Sequence, residues 1–282
     1  MDETLRKLQL TELEILQVID DFCKKHDIRY SLYAGTLLGA VRHQGFIPWD
    51  DDLDICMERA EYERFLQTWE KEGPRGYVLM NKENAPGFDQ SFTKIRKEHT
   101  TFMQKAWEAG LFPTGIFVDV FPVDRVPDGK MNRLWFRFVC LSYLVFTREF
   151  IPPQGSGLQK LVARALLFCV RGDNRRRLRG RLLRYITKRD QDRSLHMVMT
   201  ETKAAAGRIL PADLMDDFVT LSFEGQGFMC TAQWKPFLEI KYDDYMRLPP
   251  ESERKWGHPP IVLSFTHDYE ELQRKTDSDH LS

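Results

Sequence analysis

The stretch DDDLDICM, residues 50–57, places four aspartates in five positions directly ahead of an apolar alternation. Residues two apart share a face of a strand, so Asp52 and Asp54 point one way while Leu53 and Ile55 point the other, into a core. If the chain is extended further upstream, Asp50 joins the same row. Carboxylates stacked on a rigid strand repel one another unless a cation neutralises them. Hard divalent ions such as Mg²⁺, with Mn²⁺ as the alternative, take oxygen ligands of this kind, usually alongside substrate phosphates. A fold built on this stretch must therefore bury one face of the strand and give the other a compensating charge.

Three other readings compete. A solvated acidic turn needs no ion. An N-cap cluster accounts for one aspartate but not for a row. A calcium loop would use Asp50, Asp52, Asp54 and Glu61, yet its sharp turn calls for glycine where Ile55 stands, and that reading is rejected. Upstream, Gly35-Thr36 marks a strand turning into a helix, where free backbone N–H groups and the helix dipole can hold an anion. A phosphate cradle followed by a carboxylate pair follows the logic of nucleotidyl and phosphoryl transfer.

The rest of the chain supplies a mixed α/β frame. Leu5, Leu8, Leu13, Leu16, Ile19 and Phe22 have helical spacing, and Thr11 with Glu14 reads as a capping box that starts the main helix there. Strands are expected at 28–32, 52–57, 76–81, 90–97 and 115–123, the last carrying the single acid Asp119, and helices at 36–43 and 59–71. Beyond residue 130 the pattern turns helical, with candidates near 131–147, 158–170, 174–189 and 191–206. The turn-rich segment FIPPQGSG, 150–157, divides a core of residues 1–150 from a helical region, 151–282, that completes the site. At 282 residues there is ample length for such a core.

GTLLGAVRHQGFIPWDDDLDI, residues 35–55, closely resembles the signature of the LicD family, which includes the fukutin-type proteins. FTKI at 92–95, GIFVDVFPVD from Gly115 and YMRLPPESERKWGH at 245–258 resemble later blocks of that family. The resemblance implies a nucleotidyltransferase-like fold and an Mg²⁺-dependent transferase that moves phosphocholine from CDP-choline to a hydroxyl of a glycan or lipid-linked glycan, releasing CMP. A ribitol- or glycerol-phosphate transferase with a CDP-polyol donor, or a nucleotidyltransferase on a small acceptor, stands as the alternative. Asp52, Asp54 and Asp119 become the catalytic carboxylates, and with Asp50 they form the metal set. Asp243 stands where members often carry glycine, in Tyr242-Asp243-Asp244-Tyr245, and residues 223–236 fit the family pattern poorly, which leaves the acceptor open.

Gly35, Thr36, Arg42, His43, Lys94, Arg254 and His258 are the candidate donor-binding residues. A solvated helix end is the alternative for Arg42 and His43. Lys94 and Arg96 share a strand face and could reach the donor, and Arg254 and His258, four apart after Pro249-Pro250, could fix the nucleotide or the transferred group, each against a purely structural role. Asp119 in an apolar strand needs a metal, a proton or a cationic partner, so a buried salt bridge is its alternative. Trp49 could wall a choline pocket by cation–π contact or simply pack.

The formal net charge of −1 gives no global pull toward nucleic acid, so no nucleic-acid partner is expected and any electrostatic partner is chosen by local patches. Arg171–Arg193 holds nine arginines and Lys188 with interleaved apolar residues, fitting either contact with an anionic membrane or a solvated helix face. The five scattered cysteines form no CxxC pair, and neither a secretory leader nor a membrane span is legible. A cytoplasmic protein, in peripheral contact with the inner membrane face, is the expectation.

Overall fold

The computed structural model describes residues 2–85, 87–148, 157–188, 196–198 and 209–279. In chain order the elements are α1 (Glu3–Lys25), β1 (Ser31–Leu32), α2 (Ala34–His43), β2 (Asp54–Glu58), α3 (Arg59–Glu72), β3 (Tyr77–Met80), β4 (Thr93–Lys97), β5 (Thr101–Met103) and β6 (Phe117–Arg125). They continue as α4 (Lys130–Arg148), α5 (Gly157–Cys169), α6 (Asp173–Thr187), β7 (His196–Val198), β8 (Leu210–Pro211), β9 (Phe218–Phe223), β10 (Gln226–Thr231), α7 (Trp234–Tyr242), β11 (Val262–Ser264) and α8 (Tyr269–Asp279).

The main sheet runs β1-β2-β6-β4-β3, with β2 and β6 parallel and the other pairs antiparallel. This is the mixed α/β architecture expected from the sequence. The register sets the site: Asp54 pairs with Asp119, and Asp119 pairs with Lys94 on its other side. Side chains at matched positions of neighbouring strands stand on the same face. Two carboxylates and an ammonium are thus brought into one row by backbone pairing alone.

α1 lays its apolar stripe, including Leu8, Ile15, Leu16 and Ile19, in the core shared with Ile55, Val118 and Val120. Its start differs from the expectation. Asp2 caps the helix by accepting from the N–H groups of Thr4 and Leu5. Thr11 instead donates to the Lys7 carbonyl within the helix, and Glu14 binds Lys97 Nζ at 2.6 Å. The Thr-x-x-Glu spacing is equally compatible with a helix interior once the upstream residues have their own cap.

Helices α2 to α6 fall where periodicity placed them. The segment 191–206, read as a helix, supplies strand β7 at its described residues 196–198, paired with Asp124 and Arg125 of β6, and its remainder lies outside the described residues. The expected boundary at 150–157 also lies outside them, apart from Gly157. Past α6, the β9–β10 hairpin joins the main core through Phe223, Phe228 and Cys230, and α7 joins it through Phe237 and Leu238. All five cysteines are free thiols, Cys169 exposed and the other four buried.

Candidate active site

A cavity of about 410 Å³ opens over the carboxyl row. Of the residues singled out in the sequence, Asp52, Asp54, Asp119, Lys94, Arg96 and His258 line it. Gly35, Thr36, Arg42, His43, Asp50 and Arg254 lie outside its wall and act on it from behind.

β2 begins at Asp54, not Asp52, so the row is only partly a strand. Thr36 fixes that start: its hydroxyl accepts the Asp54 N–H at 2.7 Å. Asp50 precedes the strand, its N–H bonded to the Ile47 carbonyl at 2.9 Å, and its carboxyl group stays within hydrogen-bonding reach of Asp52. Its carboxylate lies over Gly35, where a Cβ would press on Asp50 Oδ2 and displace that side chain. The first turn of α2 thus faces an acid rather than open space.

Lys94 Nζ donates to Asp119 Oδ1 at 2.5 Å and sits 3.3 Å from the centre of the Phe117 ring. Both charges are almost wholly out of solvent. Desolvation raises the carboxyl groups of Asp52, Asp54 and Asp119 above the ordinary range, and their mutual repulsion adds to it at Asp52 and Asp54. At Asp119 the Lys94 ammonium opposes the rise. Burial and the neighbouring Asp52 and Asp51 push Asp50 up to about 8. Glu12 of α1 is fully buried, with Oε2 lacking a hydrogen-bond partner among the described residues, and burial plus the surrounding aspartates hold its carboxyl well above the usual range.

The cationic side is largely tied. Arg42 donates to the Tyr245 carbonyl at 2.8 Å, and Arg254 donates to the Pro249 carbonyl at 2.9 Å. The Arg254 guanidinium also lies 5.4 Å over the Trp49 ring, so the cation on Trp49 is one of the protein's own. His43 meets Trp49 edge-on at 6.3 Å. Arg96 donates to the Gly115 carbonyl at 2.6 Å and leaves Nε without a partner among the described residues.

Several site residues escaped the sequence reading. Asp51 is fully buried and accepts the N–H groups of Gly257 and His258 at 3.0 and 2.8 Å. That carboxylate brings His258 within 3.6 Å of Asp52, and hydrogen bonding to Asp51 raises the imidazole above its usual range. Asp51, Asp52 and His258 are the group near the cavity whose ligand atoms all lie within 4.8 Å of one another among the described residues. Lys241 of α7, donating to the Tyr33 hydroxyl at 2.6 Å, partly offsets the charge of Asp54. Arg148, at the end of α4, lines the cavity with no hydrogen bond or ion pair to described residues, its electrostatic neighbour being Asp89. Aromatic and polar side chains share the lining with the acids: Phe88, Phe92, Phe102, Phe112, Phe117 and Phe121 stand there with Asp89, Gln90, Gln104, Lys105 and Glu108, and Phe117 and Phe121 flank Asp119 on the same face of β6. One out-of-phase aspartate and one glutamate in the stripe of α1 were the available sequence signals; the aromatic lining and Arg148 had none.

Residues 27–160 match the family described as LicD/FKTN/FKRP, nucleotidyltransferase domain. The match includes the acidic row, Lys94 and Asp119, and stops short of His258. Over 264 residues the chain is 29% identical to the lipopolysaccharide cholinephosphotransferase LicD of Haemophilus influenzae, covering 90% of this chain and 96% of that protein. It is 47% identical over 147 residues to an uncharacterized protein of Rickettsia prowazekii, 46% of this chain and 54% of that one. An uncharacterized Rickettsia typhi protein is 39% identical over 77 residues, 27% of this chain and 25% of that one.

Proposed function

The chain belongs to the LicD family, and from that premise we propose that it is a transferase moving phosphocholine from CDP-choline to a hydroxyl of a cell-surface glycan precursor, of lipopolysaccharide or teichoic-acid type. The observation that carries this reading is the composition of the cavity. Its lining gathers carboxylates and cations suited to phosphates. The same lining includes phenylalanines with Asp89 and Glu108 among them, surroundings that suit a quaternary ammonium. Gln90, Gln104 and Lys105 in that lining also offer hydrogen bonds suited to a polyol, and a donor screen decides between the two.

The donor set fits Mg²⁺ or Mn²⁺. Asp52 and Asp54 present hard oxygen ligands, raised first by burial and then by neighbouring carboxylates, a setting that a divalent cation would compensate, and Asp119 stands in register beside Asp54. Asp52, Asp54 and Asp119 would hold the ion, which supplies neutralisation of the phosphate charge during transfer. Asp50, over Gly35, shapes the α2 terminus behind them.

The acceptor oxygen forms a bond to the distal phosphorus while the bond from that phosphorus to the CMP oxygen breaks. Asp119, whose upward shift by burial the Lys94 ammonium opposes, takes the hydroxyl proton or orients the nucleophile. His258, its imidazole raised by Asp51 and Asp52, lines the same cavity and suits the departing phosphate. Arg148 and the unpartnered Nε of Arg96 add donors for phosphate oxygens. Residues past 151 complete the site, since Gly257 and His258 close onto Asp51.

A screen of CDP-choline, CDP-ethanolamine, CDP-glycerol and CDP-ribitol, with a hydroxyl-bearing glycan and Mg²⁺, tests the proposal. Release of CMP with CDP-choline far above the polyol donors is expected. Pyrophosphate release from a nucleoside triphosphate would instead assign nucleotidyl transfer, and CMP release only with a polyol donor would overturn the choice of phosphocholine.

A further inference from the structure

α4 has two apolar faces, of which the fold uses one. Phe136, Val139, Cys140 and Tyr143 pack against Ile186 of α6. Met131, Leu134, Trp135 and Phe138, spaced i, i+3, i+4, i+7, form a second stripe and are 77%, 62%, 55% and 44% exposed. The Trp135 and Phe138 rings stack at 5.4 Å, a preformed aromatic plate facing solvent. α5, which packs against α4, exposes Leu161 and Phe168 at 62% and 71%, one above the other on its surface. A soluble surface carries single exposed apolar residues freely, but not such runs on two adjoining helices.

Charge selects what covers them. From Lys130 to Lys188 the sequence holds fourteen lysines and arginines against two acids, in a chain of formal net charge −1. Arg137, Arg164, Arg171, Arg176, Arg177 and Arg181 are all exposed. The guanidinium of Arg171 lies 4.8 Å over the Phe168 ring, so apolar and basic surface are interleaved. A second copy seated on this face would set arginines against arginines, because a two-fold contact pairs a patch with itself. An anionic lipid surface presents the opposite charge and an apolar layer beneath it.

We propose that α4 to α6 form a membrane-docking platform that inserts Trp135, Phe138 and their apolar neighbours into the headgroup–acyl boundary of an anionic bilayer, with the surrounding arginines on the lipid phosphates. The contact lies on the surface: among the described residues no helix is long and apolar enough to cross a membrane. The inference is independent of the transfer chemistry and is tested without it.

Flotation with phosphatidylcholine vesicles, with and without phosphatidylglycerol, reads the platform directly. The full chain is expected to float with the anionic vesicles and not with the neutral ones. Trp135→Ser/Phe138→Ser should lower the partition coefficient about tenfold or more at every salt concentration. Arg176→Ser/Arg177→Ser should lower it about fivefold per arginine at low salt, an effect that fades as salt rises. Leu161→Ser/Phe168→Ser provides an independent apolar arm on α5, and unchanged melting of each variant separates lost binding from lost fold. Equal flotation with neutral vesicles, or anionic binding untouched by both apolar double variants, would overturn the proposal. So would a dimer in sedimentation that Trp135→Ser/Phe138→Ser splits, which would give the face to a second copy.

Discussion

Lys94→Met isolates the balance on which the carboxyl row stands. The substitution keeps the length and apolar bulk of the stem but removes the ammonium held 2.5 Å from Asp119 Oδ1, with both side chains about 9% exposed. Removing one partner of a buried pair costs about 3–5 kcal/mol, because the remaining charge has neither water nor counter-ion. Arg96, which also lowers the Asp119 pKa, places the expectation at the lower end of that range. At about 2–4 °C per kcal/mol the melting temperature should fall by roughly 6–12 °C. Asp119→Asn in the same chain should recover most of the loss, since removing both charges together is close to neutral.

The pH dependence has a definite sign. Without Lys94, burial and Asp54 raise the folded-state carboxyl of Asp119 further above its unfolded value of about 3.9. A group raised in the folded state contributes fully below its unfolded pKa and loses that contribution as pH rises through the folded one. The deficit of Lys94→Met should therefore be small near pH 5 and grow toward pH 8. Denaturant unfolding of the four members of the double-mutant cycle in metal-free buffer measures this. A Lys94→Met protein as stable as wild type at pH 8, or a coupling energy near zero with Asp119→Asn, would refute the reasoning.

Asp52→Asn and Asp54→Asn should each fold, melt higher than wild type without metal because a repulsion is gone, and lose both transfer and the added stability given by Mg²⁺ with CDP; differential scanning fluorimetry and CMP release read the two effects. Metal-free wild type should lose stability as pH rises from about 4 to about 8, the span over which Asp50, raised to about 8, gives up its proton, and Mg²⁺ should recover more at pH 8 than at pH 5. Asp51→Ala leaves the Gly257 and His258 N–H groups without their acceptor at about 1–3 kcal/mol, and should increase proteolytic cleavage near residue 257 and lower the His258 pKa, followed by NMR titration.

The sequence made the row legible because alternation and charge are local properties. Asp54 and Asp119 meet in the cavity through the register of β2 and β6, Lys94 joins them through the adjacent strand, and Asp52 lines the same cavity from just ahead of β2. Asp50 illustrates the limit of that logic: the period holds only while the chain is extended, and the turn closed by Ile47 ends it. Asp51 owes its role to a contact with residues 257 and 258, and no local pattern encodes a partner that distant. Glu12 had a local signal, an acid inside an apolar helical stripe, but its meaning depends on the aspartates that α1 covers. Arg42 and Arg254 read as free phosphate binders because a sequence displays charge and not the carbonyls that engage it. Asp243 replaces a glycine of the family pattern in a conformation that suits glycine, with φ +56° and ψ −106°, and only the backbone reveals it.

The Asp51 clasp also orders events in time. During synthesis β2 leaves the ribosome some two hundred residues ahead of the segment it must hold, and until residue 258 has emerged Asp51 has no N–H groups to accept. At the roughly 5–20 residues per second typical of translation, that interval lasts about ten seconds or more. The β1–β2–β6 core can form meanwhile, but the cleft stays open on the side that His258 closes. A nascent chain stalled before that point should be compact at its amino-terminal end yet unable to retain a donor. Activity therefore reports completion of the chain rather than folding of the sheet.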